Sequence, residues 1–256
     1  MSDEARAGMN ADIVKNIESI RGRISAAAGR SGRKAEDILL VAVSKTRSPE
    51  EILVALKAGA AHLGENKAQE MESKFGAVEE LAREAEISTK VKWHMIGHLQ
   101  RNKVKYIIKK ADLIHSVDSL RLAEEIENRS ALAGMTTDIL VQVNIAGEES
   151  KSGVAPDEAA GLVNSILIGC AHIRVCGLMT VAPAAEDPEE VRGDFRRMKD
   201  IYDKIQREGP HERKDFKWLS MGMTGDFEVA IEEGANLVRV GTGIFGERNY
   251  NRRDWR

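Results

Sequence analysis

Eight short apolar runs of strand composition recur along this 256-residue chain, and helical patterns separate them. They are Ile38 to Ser44, Ala61 to Gly64, Val91 to Gly97, Asp112 to Val117, Asp138 to Asn144, Ile173 to Val181, Phe216 to Met221 and Asn236 to Gly241. Between two of them Val191, Phe195, Met198, Ile201 and Ile205 draw one apolar stripe along a helix, the spacing of a core-facing surface. A first amphipathic helix over residues 10–28 precedes the series. Strands alternating with helices point to a parallel sheet, and eight units in this length predict an α/β fold of the TIM-type (β/α)8 barrel class. A doubly wound open sheet is the alternative. No Pro/Gly/Ser-rich linker interrupts the chain, so residues 1–256 are expected to form one domain with a short polar C-terminal tail.

In such a barrel the loops after the strands form the functional face. Lys45 stands at the end of the first run, and Ser48-Pro49-Glu50-Glu51 directly after it reads as a helix start, with Ser48 as N-cap and Glu51 closing a capping box. A lysine held in a partly dry site loses its proton more readily and becomes a nucleophile towards carbonyls; the competing reading is a strand-end lysine that reaches solvent. After the seventh and eighth runs, Ser220-Met221-Gly222-Met223-Thr224 and Gly241-Thr242-Gly243-Ile244-Phe245-Gly246 supply small residues whose backbone N–H groups can approach an anion. Tight packing of the barrel mouth would account for the same composition. Arg239 lies on the last strand and must meet an acceptor if buried: an ion pair with Glu65 or Glu228, or a ligand atom such as a ring nitrogen. An aldehyde cofactor with a phosphate needs these three kinds of partner together.

Other signals are weaker. Gly241 to Gly246 spells G-x-G-x-x-G, yet only ten residues follow, too few for the remainder of a dinucleotide-binding unit. His94 and His98 are four apart on a strand and turn, where side chains do not converge on a metal as they do on a helix, so no metal site is expected. The net charge of −3 gives no general reason to bind nucleic acid or an anionic membrane, and the apolar runs fall far short of the ~20 residues that span a bilayer. The basic stretches over residues 21–34 and 249–256 read as solvated surface and tail, and Trp93 and Trp218 as strand packing. Cys170 and Cys176 suit buried thiols in a cytoplasmic protein, and the polar, acidic N-terminus does not resemble a secretory signal.

Several segments together resemble a known family. They are Val41-Ala42-Val43-Ser44-Lys45-Thr46, Gly64-Glu65-Asn66, Trp93 to Gln100, Gly147 to Gly153, Gly177-Leu178-Met179, Ser220-Met221-Gly222-Met223 and Arg239-Val240-Gly241-Thr242 with Ile244-Phe245-Gly246. In this order and spacing they are similar to the pyridoxal phosphate homeostasis proteins, the YggS-like family. Lys67-Ala68 and Gly225 depart from its commoner residues. The resemblance implies a barrel like the N-terminal domain of alanine racemase (fold type III) carrying pyridoxal 5′-phosphate as an internal aldimine on Lys45. Ser220 and the Gly241-Thr242 backbone would hold the phosphate, Arg239 would face the pyridine nitrogen, Asn66 and Met221 would line the pocket, and Lys151 would be a second amine. The implied role is a non-catalytic carrier that buffers the cofactor and supplies apo-enzymes. An amino-acid racemase, which needs a second base near Lys45, and a cofactor-free Schiff-base aldolase, which would be colourless, are the alternatives.

Overall fold

The computed structural model describes residues 3–148, 151–208 and 215–247. The expected polar tail, and Glu149 and Ser150 of the Gly147 to Gly153 segment, lie outside them.

All eight anticipated strands form: β1 (Leu39–Val43), β2 (His62–Glu65), β3 (Lys92–Met95), β4 (Leu113–Val117), β5 (Thr137–Gln142), β6 (Ile173–Met179), β7 (Trp218–Ser220) and β8 (Leu237–Val240). Each pairs in parallel with its neighbour, and β8 returns to β1, with Leu39 opposite Leu237 and Val41 opposite Arg239, so the sheet is a closed barrel. The open-sheet alternative is excluded.

Helices α1 (Asp3–Arg30), α2 (Pro49–Lys57), α3 (Ala68–Glu84), α4 (Val104–Ile107), α5 (Leu120–Ala133), α6 (Ala159–Gly169), α7 (Arg192–Glu208), α8 (Phe227–Glu232) and α9 (Thr242–Phe245) lie between and around the strands. The start of α2 is the capping box read from sequence, with Ser48 accepting from the Glu51 N–H and Glu51 accepting from the Ser48 N–H. Along α7 the buried stripe runs through Phe195, Met198, Tyr202 and Ile205; Tyr202 replaces the expected Ile201, which is only half-buried. The basic stretch of α1 is more than a solvated face. Arg23 pairs with Glu228 at 2.7 Å and lies over the Phe227 ring, and Arg33, just beyond α1, donates to the carbonyls of Ile231 in α8 and Ala235 after it.

Side chains alternate between two cores. Ala42, Leu63, Trp93, Met95, Ile114, Ile139, Val141, Val238 and Val240 belong to the apolar layer under the helices, whereas Val41, Leu113, Leu140, Cys176, Met179 and Leu237 form a separate cluster that fills the barrel. On β6 the inward residues are three apart, because the register against β5 shifts at Cys176. Gly177 makes that bulge possible: its φ is 147°, and a Cβ there would lie 1.8 Å from the Trp218 carbonyl oxygen.

Gly177→Ala should therefore destabilise the barrel by about 2 kcal/mol or more, since both the backbone angle and the neighbouring strand oppose the methyl group. Urea unfolding monitored by circular dichroism measures it, with Gly161→Ala, whose Cβ would meet nothing within 4 Å, as the tolerated control.

Candidate functional site

Lys45 follows β1 in a sharp turn whose next residue, Thr46, has φ 64°, the left-handed region that a β-branched residue rarely adopts. Such a conformation persists only where the surroundings enforce it. Here they do so from both sides. The Ser44 carbonyl accepts from Lys74 Nζ at 2.9 Å, the Ser44 hydroxyl donates to Glu65 Oε1 at 2.8 Å, and the Thr46 N–H bonds the Glu70 carboxylate. Lys74 closes the cluster at 3.1 Å from Glu65 and 2.6 Å from Glu70. Lys74 and Glu65 are fully buried, and burial pushes the Glu65 carboxyl up to about 7, with Lys74 opposing and Glu70 adding to the rise. Buried ions rarely add net stability. Their effect here is to fix the backbone that carries Lys45.

Beside this turn opens a cavity of about 340 Å³ whose walls include Lys45, Asn66, His98, Asn144, Lys151, Met223 and Arg239. Lysines and an arginine contribute to the lining, and no carboxylate does among the described residues, so the cavity favours an anion. Lys151 Nζ is engaged by Glu148 at 2.7 Å and by the Ala182 carbonyl at 3.1 Å. The Asn144 amide donates to Glu148 and Lys151 carbonyls, while its buried oxygen has no hydrogen-bond partner among the described residues and is available to a donor on a ligand. A cavity of about 410 Å³ lies at the opposite end of the barrel; it is lined by the Lys92–Asp112 and Arg174–Asp138 ion pairs and reaches neither Lys45 nor Arg239. Size does not select the site; the collected chemistry does.

Arg239 is buried, yet pairs with neither Glu65 nor Glu228. Its guanidinium donates to Ser220 Oγ and, at 2.8 Å, to the Thr180 carbonyl. Burial lowers its pKa to about 10, against the pull of Asp226, so it remains a cation at neutral pH. Ser220, expected at a phosphate, is fully buried and accepts this bond from Arg239. Met221 is not part of the cavity wall and packs in the outer apolar layer. The cause is strand alternation: Ser220 points inward, Met221 outward, and after Gly222, at φ 94°, the chain turns so that Met223 reaches the cavity. Gly241 and the exposed Thr242 open α9 at the rim, and the Gly243 N–H bonds Thr224 Oγ1 at 3.2 Å, which ties the loops after β7 and β8 together. The sequence does not single out Thr224, Met223 or Asn144 as individual site residues; the Thr224 hydroxyl and the Asn144 amide in loops after strands are the available signals, and Met223 offers none.

Gly97 brings two further loops together. A Cβ there would lie 2.3 Å from the Asn66 carbonyl oxygen, so only glycine lets the loop after β3 lie against Asn66 at the cavity wall. His98, beyond it, reaches Ser152 at 3.3 Å and lies 3.7 Å from Asp118, whereas His94 points to His62 and His115.

Comparison with known proteins agrees with the barrel fold. Residues 16–249 match the family model described as alanine racemase, N-terminal domain. The pyridoxal phosphate homeostasis protein of Aquifex aeolicus is 42% identical over 92% of this chain and 98% of its own length. That of Escherichia coli K12 is 38% identical over 94% and 99%. Among solved structures, PipY of Synechococcus elongatus with pyridoxal phosphate (PLP) bound superposes with a TM-score of 0.75 at 29% identity, covering 91% of this chain and all of that one.

Removal of the Lys74 ammonium leaves Glu65 and Glu70 without their buried cation. Lys74→Met should cost about 3–5 kcal/mol in denaturant unfolding, against less than about 0.5 for Arg83→Ala on the exposed face of α3.

Proposed function

The chain belongs to the pyridoxal phosphate homeostasis proteins, built on the alanine racemase N-terminal domain, and on that footing we propose that it holds pyridoxal 5′-phosphate on Lys45 as a carrier rather than an enzyme. The observation that carries the reading is one cavity collecting an amine on a fixed turn and a buried cation from the neighbouring strand, at the end of the barrel where the loops of Gly241 and Thr224 are tied together. The residues fit the group. When bound, the cofactor supplies an aldehyde for an amine and a phosphate for an anion cradle. Lys45 provides the amine, Asn66 and Met223 the walls, and Asn144 an acceptor without a partner among the described residues. The backbone of Gly241, Thr242 and the Thr224 loop is the natural phosphate cradle, with Ser220 in support through Arg239.

The non-catalytic part of the proposal rests on Arg239. A cation beside the pyridine nitrogen disfavours protonation of that nitrogen and weakens the ring as an electron sink, which handicaps carbanion chemistry. Lys151, the second amine in the cavity, is occupied by Glu148 and the Ala182 carbonyl and would have to exchange these partners to act as a base or to receive the cofactor. Delivery to apo-enzymes in the cytoplasm completes the proposal. The buried, unpaired Cys170 and Cys176 suit a reducing compartment, and among the described residues no helix is long and apolar enough to cross a membrane.

Borohydride reduction of the loaded protein followed by peptide mass spectrometry should place the cofactor on Lys45. Lys45→Ala should lose the visible absorption of the bound aldehyde, and Lys151→Ala should keep it. Exchange of amino-acid α-protons should stay well below the roughly 1–10³ per second typical of enzymes; turnover in that range would make the protein a racemase or a related catalyst.

A further inference from the structure

Three histidines that this role does not use stand in a row inside the barrel. His62 Nδ1 is 2.9 Å from His94 Nε2, His94 Nδ1 is 2.8 Å from His115 Nε2, and His115 Nδ1 is 3.1 Å from Ser220 Oγ, which Arg239 also bonds. The row begins at half-buried His62, on the wall of a cleft at the lower end of the barrel, and ends on Arg239 at the upper cavity. His94, His115 and Ser220 between them are buried.

Hydrogen-bond accounting orders the protons. Arg239 can only donate, so Ser220 Oγ accepts from it. The Ser220 proton is then best given to His115 Nδ1, which leaves the proton of a neutral His115 on Nε2, facing His94 Nδ1. The same step places the His94 proton on Nε2, facing His62 Nδ1, and the His62 proton on Nε2, where the row meets the lower cleft. Every donor inside the row meets an acceptor, and the three rings share one tautomer. Burial keeps the inner rings neutral: His94 is pushed down to about 3 and His115 well below its ordinary range, with neighbouring imidazoles and then Lys92 or Arg239 acting in the same direction.

We propose that His62, His94 and His115 are positioning residues for Arg239, a proton-ordered column through which protonation of His62 at the lower face resets the hydrogen bonding of Ser220, the hydroxyl to which Arg239 donates at the cofactor cradle. A protonated His62 carries both N–H groups, and its Nδ1–H requires His94 Nε2 as acceptor. The His94 proton then sits on Nδ1 and requires His115 Nε2, and the His115 proton sits on Nδ1 and points at Ser220 Oγ. One proton has been gained and none lost. His94 and His115 stay neutral with their tautomers reversed, and Ser220, now accepting from both His115 and Arg239, turns its own proton out of the column.

His62 meets the Lys92–Asp112 pair, with Asp112 favouring the imidazolium and Lys92 and burial opposing it, and it shares the lower cleft with Arg21 and Glu36. At the upper end His115 faces His94 and Arg239, and Arg239 feels Asp226. Because burial dominates at His62, its charging is expected below the ordinary histidine pKa.

The test is nitrogen NMR of the full chain with ¹⁵N-labelled histidine, titrated downwards from about pH 8, first without cofactor. At the start all three rings should be neutral and protonated on Nε2. As His62 charges, the His115 nitrogen shifts should exchange their tautomer signature at the same midpoint while His115 stays neutral. In His94→Phe the His62 titration should persist and the His115 response vanish; should that variant not fold, His62→Gln at the half-buried end must leave His115 flat. Mixed tautomers at the start, or a His115 signal indifferent to His62, would overturn the column. Only the last readout rests on the cofactor proposal: with pyridoxal 5′-phosphate loaded, the visible absorption should shift at the His62 midpoint in the unmodified protein and lose that shift in His62→Gln. A flat absorption overturns the coupling to Arg239, whereas failure to load any cofactor overturns the Lys45 reading and leaves the unloaded titration to judge the column.

Discussion

The pairing of β8 with β1 is the constraint on which the site depends. It joins the two ends of the sheet over Leu39 to Ala42 and Leu237 to Val240, and so puts the turn carrying Lys45 beside the strand carrying Arg239 and the loop that opens with Gly241. Closure removes the exposed edges that an open parallel sheet would present, and the entropy of joining residues so distant in sequence grows only logarithmically with their separation. Side chains reinforce the seam. Arg47 donates to the carbonyls of Gly246 and Glu247, and Asn16 on α1 donates to Ile244, so hydrogen bonds tie the loop after β1 and the first helix to the segment after β8.

Inside the closed sheet the filling is divided. Val41, Leu113, Leu140, Cys176, Met179 and Leu237 form an ordinary apolar plug, while inward positions of β2, β3, β4 and β7 carry imidazoles and a hydroxyl. Neutral imidazole tolerates burial because one nitrogen donates and the other accepts, so a row of rings leaves no internal group unsatisfied. That row ends on the hydroxyl that supports a buried guanidinium. A wholly aliphatic interior would leave Arg239 with the Thr180 carbonyl and little else.

The mouth uses charge differently. Its amines and guanidinium face a cavity wall free of carboxylates among the described residues, which suits a phosphate-bearing aldehyde, while the carboxylates near Lys45, Glu65 and Glu70, are turned away from it and held by Lys74. The geometry of Lys45 is thus set by a buried ionic cluster on its outer side, and the electrostatics of the ligand by cations on its inner side. The same separation lets Thr46 keep its left-handed backbone without placing a negative charge next to an anionic ligand.

The order of elements, the barrel class, the capping of α2 and the places of Lys45 after the first strand and Arg239 on the last were legible in the sequence, because hydrophobic periodicity and turn chemistry are local and eight repeats leave few architectures open. The partners of Arg239 were not, since Ser220 and Thr180 come from other strands and only the register of the closed sheet brings them within reach. Nor was the exchange of Met221 for Met223 at the cavity wall, which follows from the phase of β7 and the positive φ of Gly222. His94 carried a motif-like spacing to His98 along the chain, but its contacts are His62 and His115 on the adjacent strands. Sequence determined what each segment becomes; tertiary structure decided which side chains meet, because in a barrel inward neighbours lie across strands rather than along them.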